Sequence, residues 1–121
     1  MTRERQKFGK EGEDIAVGEL ERRGYEILAR RYRTRYGEID IVASDEGTIV
    51  FIEVKARATA EFGTAAEAVT AQKQRRLASM ATDYLARNHL IDRPCRFDVV
   101  AIDGLGESME ITVYAGAFDV R

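Results

Sequence analysis

Thr48-Ile49-Val50-Phe51-Ile52-Glu53-Val54-Lys55-Ala56-Arg57 is the stretch on which the fold turns. Its β-branched and aromatic residues read as a buried strand, yet Glu53 and Lys55 interrupt it. Side chains two apart on a strand share a face, so Glu53 and Lys55 point the same way as Ile49 and Phe51. Upstream, Gly37-Glu38-Ile39-Asp40-Ile41-Val42 repeats the pattern with Asp40. Burying an unpaired charge is expensive, so such residues are usually exposed, paired or bound to a metal. Two carboxylates and a lysine on neighbouring strands can hold a divalent cation and a reacting phosphate.

Working outward, Ser44-Asp45-Glu46-Gly47 predicts a tight hairpin turn between a strand from Gly37 to Ala43 and one from Thr48 to Ala56. Tyr25 to Arg33 reads as an earlier strand. Phe8, Ile15, Ala16 and Leu20 recur at helical spacing, which predicts an amphipathic helix over about 6–23 that stops at Gly24. Thr59 to Ala68 reads as a loop entering a second helix. That helix starts between Ala65 and Val69, ends near Asn88, and carries Val69, Leu77, Met80, Ala81, Tyr84 and Leu85 on one face. Cys95 to Ile102 is a fourth strand, and Met109 to Tyr114 a short fifth after a turn at Gly104 and Gly106.

This order implies an α/β fold. The first three strands have short links and form an antiparallel meander; the second helix carries a crossover to a parallel fourth strand. The result is one domain over 1–121, a mixed sheet with a helix on each face and a short extra C-terminal strand. Val50, Ile52 and Val54 fill one layer, Ile49 and Phe51 the other. Glu53 and Lys55 lie near the strand end, where the apolar layer would open into a cleft.

Composition narrows the chemistry. With 121 residues and 45% apolar content, the chain can bury a core without staples. No apolar run is long enough to span a bilayer, and the first residues lead into no signal-peptide stretch, so no membrane partner and a cytoplasmic location are expected. Cys95 is the sole cysteine and His89 the sole histidine, which excludes a disulfide framework, a cysteine zinc site and a histidine pair within one chain. A metal would be held mostly by oxygen, which suits magnesium or manganese. The net charge of −2 does not by itself point to nucleic acid, but six arginines fall between Arg22 and Arg35, and Lys73, Arg75 and Arg76 form a second cluster. Solvated faces balanced by Glu19, Glu21 and Glu26 are the more common account of such runs.

A set of ordered motifs resembles a known family. They are Gly12-Glu13-Asp14 with Ala16, Gly24-Tyr25, Gly37-Glu38-Ile39-Asp40, Phe51 to Arg57, Phe62-Gly63, Lys73, Arg96-Phe97-Asp98-Val99-Val100 and Ala117-Phe118. The sequence resembles the YraN-type family of small bacterial proteins, predicted endonucleases distantly similar to archaeal Holliday junction resolvases. Both resemble the PD-(D/E)XK, or restriction-endonuclease-like, superfamily, whose core is αβββαβ. Arg31 departs from the pattern, because asparagine is expected there; the departure concerns a strand-end contact and not the metal site.

The resemblance implies a metal-dependent nuclease acting on DNA, branched or otherwise structured, or a nucleic-acid-binding module of the same fold without catalysis. It implies that Asp40 and Glu53 bind Mg2+ or Mn2+, with the Val54 carbonyl as a further ligand. Lys55 would orient water or neutralise the phosphate, and Glu13 would approach from the first helix, with Gly9 and Gly12 allowing close contact. Paired active sites, as in a junction-cleaving enzyme, would imply a homodimer. A structural ion-pair network is the competing account of Asp40, Glu53 and Lys55, and an ordinary helix-surface glutamate that of Glu13.

Other residues stand beside this set. Lys73 lies on the Val69–Lys73–Leu77 line of the second helix, where a lysine either snorkels or reaches an anion. Arg57 continues the face of Glu53 and Lys55, and Arg33 and Arg35 share a face at the end of the first strand; all can contact backbone phosphate. Tyr32 and Tyr36 can stack on bases or simply pack. Glu38 shares Asp40's face and is second in rank. Asp98 is expected to be a structural acceptor, His89 a cap or surface residue, and Cys95 a buried small hydrophobe.

Overall fold

Alternation along the third strand builds two apolar layers. Val50 and Ile52 pack with Ala16, Leu20, Ile41 and Val100 on one side of the sheet. Ile49 and Phe51 pack with Leu77, Met80, Tyr84 and Phe97 on the other. Because each layer needs a cover, a helix lies on each face. The computed structural model describes residues 3–57, 70–104 and 108–118.

The elements run α1 (Arg3–Arg22), β1 (Glu26–Thr34), β2 (Gly37–Asp45), β3 (Thr48–Arg57), α2 (Ala71–Arg87), β4 (Cys95–Asp103) and β5 (Glu110–Phe118). Spatial strand order equals chain order. β1, β2 and β3 pair antiparallel, β3 and β4 parallel, and β4 and β5 antiparallel. This is the expected mixed αβββαβ sheet of restriction-endonuclease-like architecture with an added strand. That strand is nine residues long, longer than its short apolar core suggests, because Ala115, Gly116 and Ala117 continue the ladder with little side-chain signal.

Local chemistry sets the boundaries. Gly24, at φ 93°, ends the first helical segment as expected. The β2–β3 turn is tighter than the four residues read from the sequence. Asp45 pairs with Thr48, so only Glu46 and Gly47 turn, both at positive φ (51° and 90°), as two-residue hairpins require. α2 starts after Thr70, whose side chain accepts the Lys73 N–H. Past its last residue Arg87 and the Asn88 cap, His89 is exposed at φ 57°, while the Leu90 N–H returns to the Leu85 carbonyl at 2.8 Å. The expected loop from Thr59 to Ala68, with Phe62 and Gly63, and the expected helix residue Val69 lie outside the described residues. No described helix is long and apolar enough to cross a membrane.

α1 sits unusually close to the sheet. A Cβ added at Gly12 would lie 2.9 Å from the Ala56 Cβ, closer than side-chain carbons approach. Gly9 has no such role, because nothing lies within 4 Å of its Cβ position.

Candidate functional site

The sheet opens where the acidic residues sit. The β2–β3 ladder runs from the Asp45–Thr48 pair to the Ile41–Ile52 pair. One step further Asp40 would face Glu53, but the Val54 N–H donates instead to Asp40 Oδ2 at 2.8 Å. A side chain takes the place of a strand carbonyl, and the two backbones part. Ile41 belongs to the α1-side core and Ile39 to the α2-side core, so two-residue alternation breaks at Asp40. That break also removes the reason for placing Glu38 beside Asp40: Glu38 is exposed and pairs with Arg33 at 3.2 Å.

Glu53 and both lysines meet on the α2 side. Glu53 is only 8% exposed. Its Oε1 lies 3.4 Å from Lys55 Nζ and 3.2 Å from Lys73 Nζ. The Thr70 cap orients the first turn of α2, from which Lys73 turns inward to the carboxylate rather than out to water. A lysine on an apolar helix face therefore has a definite anionic partner here.

Electrostatics reflect this crowding. Burial and then the charge of Glu53 push the Asp40 carboxyl up to about 7, against the opposing Val54 N–H bond. Glu13 adds to the rise and Lys55 moderates it. Burial and then the neighbouring Lys73 lower Lys55. Burial also disfavours charge on Lys73, but the Lys55 hydrogen bond and the Glu53 carboxylate outweigh it and hold Lys73 above its ordinary value.

Glu13 comes from the opposite helix. The tight Gly12 contact sets α1 against the end of β3, and Glu13, 8% exposed, receives both bonds of Arg31 Nε at 3.1 and 3.2 Å. Arg31 thus contacts a candidate site residue directly. The sequence signal was the departure from asparagine; the reason it mattered, φ 51° within a strand, is not visible in composition or spacing.

The donor set fits a hard cation in part. Asp40 and Glu53 supply carboxylate oxygens, and their mutual repulsion in a buried setting is what a divalent ion would relieve. No group of three or more His, Cys, Asp or Glu side chains suited to a metal occurs among the described residues. The remaining positions would fall to a main-chain carbonyl such as that of Val54, water and phosphate, an arrangement magnesium favours.

Other candidates sit around this centre. Arg57 ends β3, partly buried, and its carbonyl accepts the Gly104 N–H at 2.9 Å. Arg33 is strongly exposed and paired with Glu38. Arg35 lies in the β1–β2 turn, not on the strand face shared with Arg33; its guanidinium stands 4.9 Å from the Tyr36 ring centre. Arg35 and Tyr36 line a cleft of about 330 Å³ with Asp83 and Arg87 of α2. Tyr32 is packed: its hydroxyl donates to Asp83 and its ring meets Tyr84 edge-on at 5.0 Å. Asp98 is fully buried and accepts from Tyr25, Arg96 and the Gly116 N–H, as a structural acceptor should. Cys95 is exposed, not buried, because it begins β4 at the sheet margin.

Comparison with known proteins agrees with these motifs. The signature described as "Uncharacterised protein family UPF0102" matches residues 12–102. A UPF0102 protein of Symbiobacterium thermophilum is 52% identical over 97 residues, covering 80% of this chain and 82% of its own. One from Syntrophotalea carbinolica is 45% identical over 120 residues, covering 99% of this chain and 98% of its own. One from Desulfosudis oleivorans is 41% identical over 121 residues, covering 100% and 97%. The chain belongs to the UPF0102, or YraN-type, family.

Proposed function

We propose that this protein is a metal-dependent endonuclease that hydrolyses phosphodiester bonds in DNA, with branched or structured DNA as the substrate class. The observation that carries the proposal is the convergence of Asp40, Glu53, Lys55 and Lys73 where β2 leaves β3. Asp40 and Glu53 would hold Mg2+ or Mn2+, which when bound supplies Lewis-acid activation of the phosphate and a more acidic water. Lys55 and Lys73 would then release Glu53 in part and turn toward the phosphate oxygens. Lys55, the more buried of the two, would orient the attacking water; Lys73 would balance charge on the phosphate. Arg57, Arg33 and Arg35 would contact flanking phosphates, giving affinity and salt dependence without base specificity. A homodimer would supply the second site for a two-strand cut.

The test is cleavage of a panel of single-stranded, duplex and branched DNA, and of RNA, with Mg2+ or Mn2+. Wild type is expected to cut DNA, and Asp40→Ala and Lys55→Ala each to lose at least a hundredfold in rate, the scale of a lost charge-stabilising group. Cleavage that persists unchanged in both variants would sink the site assignment.

One observation favours a second account, a nucleic-acid-binding module without catalysis. Glu53 Oε1 already has two ammonium partners, so its charge is balanced without a metal. That account predicts salt-dependent DNA binding, no turnover with either metal, and no metal-induced rise in melting temperature.

A further inference from the structure

Arg30 and Arg31 are consecutive residues of β1, and both reach α1. Arg30 Nη2 lies 2.7 Å from Asp14 Oδ1, and Arg31 Nε lies 3.1 Å from Glu13 Oε1. Successive side chains on a regular strand point to opposite faces. The left-handed backbone at Arg31, φ 51°, turns the second arginine back to the same side. Asparagine and glycine take this conformation readily; arginine does so at a penalty. Neighbouring pairs Arg30–Ile41 and Tyr32–Ile39 bracket Arg31, which therefore lies across from Asp40. A strained cation has been set beside the carboxylate at the sheet opening.

Its hydrogen bonds show which end is engaged. Nε donates to both Glu13 oxygens. Among the described residues, the terminal Nη groups donate to none, and the side chain is 51% exposed while Glu13 is 11%. A buried carboxylate thus grips the inner edge of a guanidinium whose outer edge faces solvent at the site. A planar fork presented this way matches two oxygens of a phosphodiester.

We propose that Arg31 binds a phosphate of the nucleic-acid substrate, and that Glu13 is the positioning residue holding its guanidinium, outside the metal-binding set. The assignment rests on the nuclease reading of the adjacent centre, and it separates Glu13 from Asp40 and Glu53, three carboxylates that the sequence grouped together. Asp40 and Glu53 would hold the metal; Glu13 faces an arginine.

The experiment uses the full chain and a fluorescently labelled DNA oligonucleotide, single-stranded or duplex, with Ca2+ replacing Mg2+ to suppress cleavage. Arg31→Asn suits the test, because asparagine accepts the backbone conformation and Arg30, 3.8 Å from Glu13 Oε1, still faces the buried carboxylate. Its expected effect is about tenfold weaker binding, the scale of one charge-assisted hydrogen bond, and a salt slope shallower by about one phosphate. Arg31→Lys should keep the salt slope and recover only part of the affinity. Glu13→Gln should weaken binding like Arg31→Asn, the double variant no further, and Glu13→Gln should retain the Mn2+-induced rise in melting temperature.

Wild-type affinity and slope in Arg31→Asn would overturn the role of Arg31. Loss of the Mn2+ effect in Glu13→Gln would overturn that of Glu13. Cleavage lost in Asp40→Ala but binding and KM unchanged in Arg31→Asn would leave the nuclease standing without this subsite. Weaker binding in Arg31→Asn with cleavage intact in Asp40→Ala would do the reverse. A wild type that neither binds nor cuts DNA removes both.

Discussion

Asp40 is where chemistry and stability pull against each other. Burial and the Glu53 charge raise its carboxyl from 3.8 to about 7. A raised pKa favours the protonated folded state, so this residue's contribution is fully present below pH 3.8 and is lost as pH rises through about 7. Asp40→Asn abolishes the titration while keeping an oxygen for the Val54 N–H. In EDTA at pH 8 this variant should melt several degrees above wild type, and the gap should close near pH 4. Added Mg2+ should raise wild type at pH 8 and leave Asp40→Asn unmoved, because only a site in the folded state gains from the ligand. Equal melting of the two proteins across this range would show that Asp40 is not an unfavourably buried charge. The sequence revealed Asp40, Glu53 and Lys55 because charge inside apolar strands is conspicuous. It did not reveal that Lys73 and Lys55 share one oxygen of Glu53, since rotamers across a tertiary contact have no periodicity. Arg31 was harder still: its importance lies in a dihedral angle.

Two helices deliver residues to this centre, α1 from its middle and α2 from its first turn, and each can be tested separately. On α1, Gly12 packs against Ala56 so closely that Cβ atoms at both positions would lie 2.9 Å apart. Alanine at Gly12 gains about 1 kcal/mol of helix propensity but meets a clash of about 1–3 kcal/mol. Gly12→Ala should therefore destabilise by up to about 2 kcal/mol in urea unfolding, and pairing it with Ala56→Gly should recover the clash component. Additive losses in the pair would mean that the contact does not set the helix position. On α2, Thr70 accepts the N–H of Lys73 itself at 3.2 Å. Thr70→Ala should cost about 1 kcal/mol as a lost N-cap. It should also loosen Lys73 from Glu53, which metal-free and metal-bound melting can report together. The elements were legible because helical and strand periods differ. Boundaries shifted where weak signals ended them, as at the small residues of β5 and the turn at Glu46 and Gly47.

Across the whole molecule, two buried acids stand in adjacent rows of the central ladder with opposite fates. Glu53 is level with Val99, and Asp98 with Ile52, one step away. Strand alternation sends Glu53 to the α2 side and Asp98 to the α1 side, where Tyr25 belongs to the core. There Asp98 joins distant parts of the chain: Tyr25 after α1, Arg96 in β4 and the Gly116 N–H in β5. Arg96 extends the link to Asp45 beside the β2–β3 turn at 2.8 Å. From sequence alone the two acids look alike; only the number of donors gathered around each separates a structural knot from a candidate site. Asp98→Ala would leave Arg96 and the Tyr25 hydroxyl short of a buried acceptor, a loss of about 3 kcal/mol in denaturant unfolding. Asp98→Asn, which keeps the shape and one carbonyl, should lose less. Because the knot lies on the other face, Asp98→Ala that remains folded at low temperature should still rise in melting temperature with Mn2+. A folded Asp98→Ala that no longer responds to Mn2+ would place Asp98 in the functional centre and dissolve the division of labour between the two faces of the sheet.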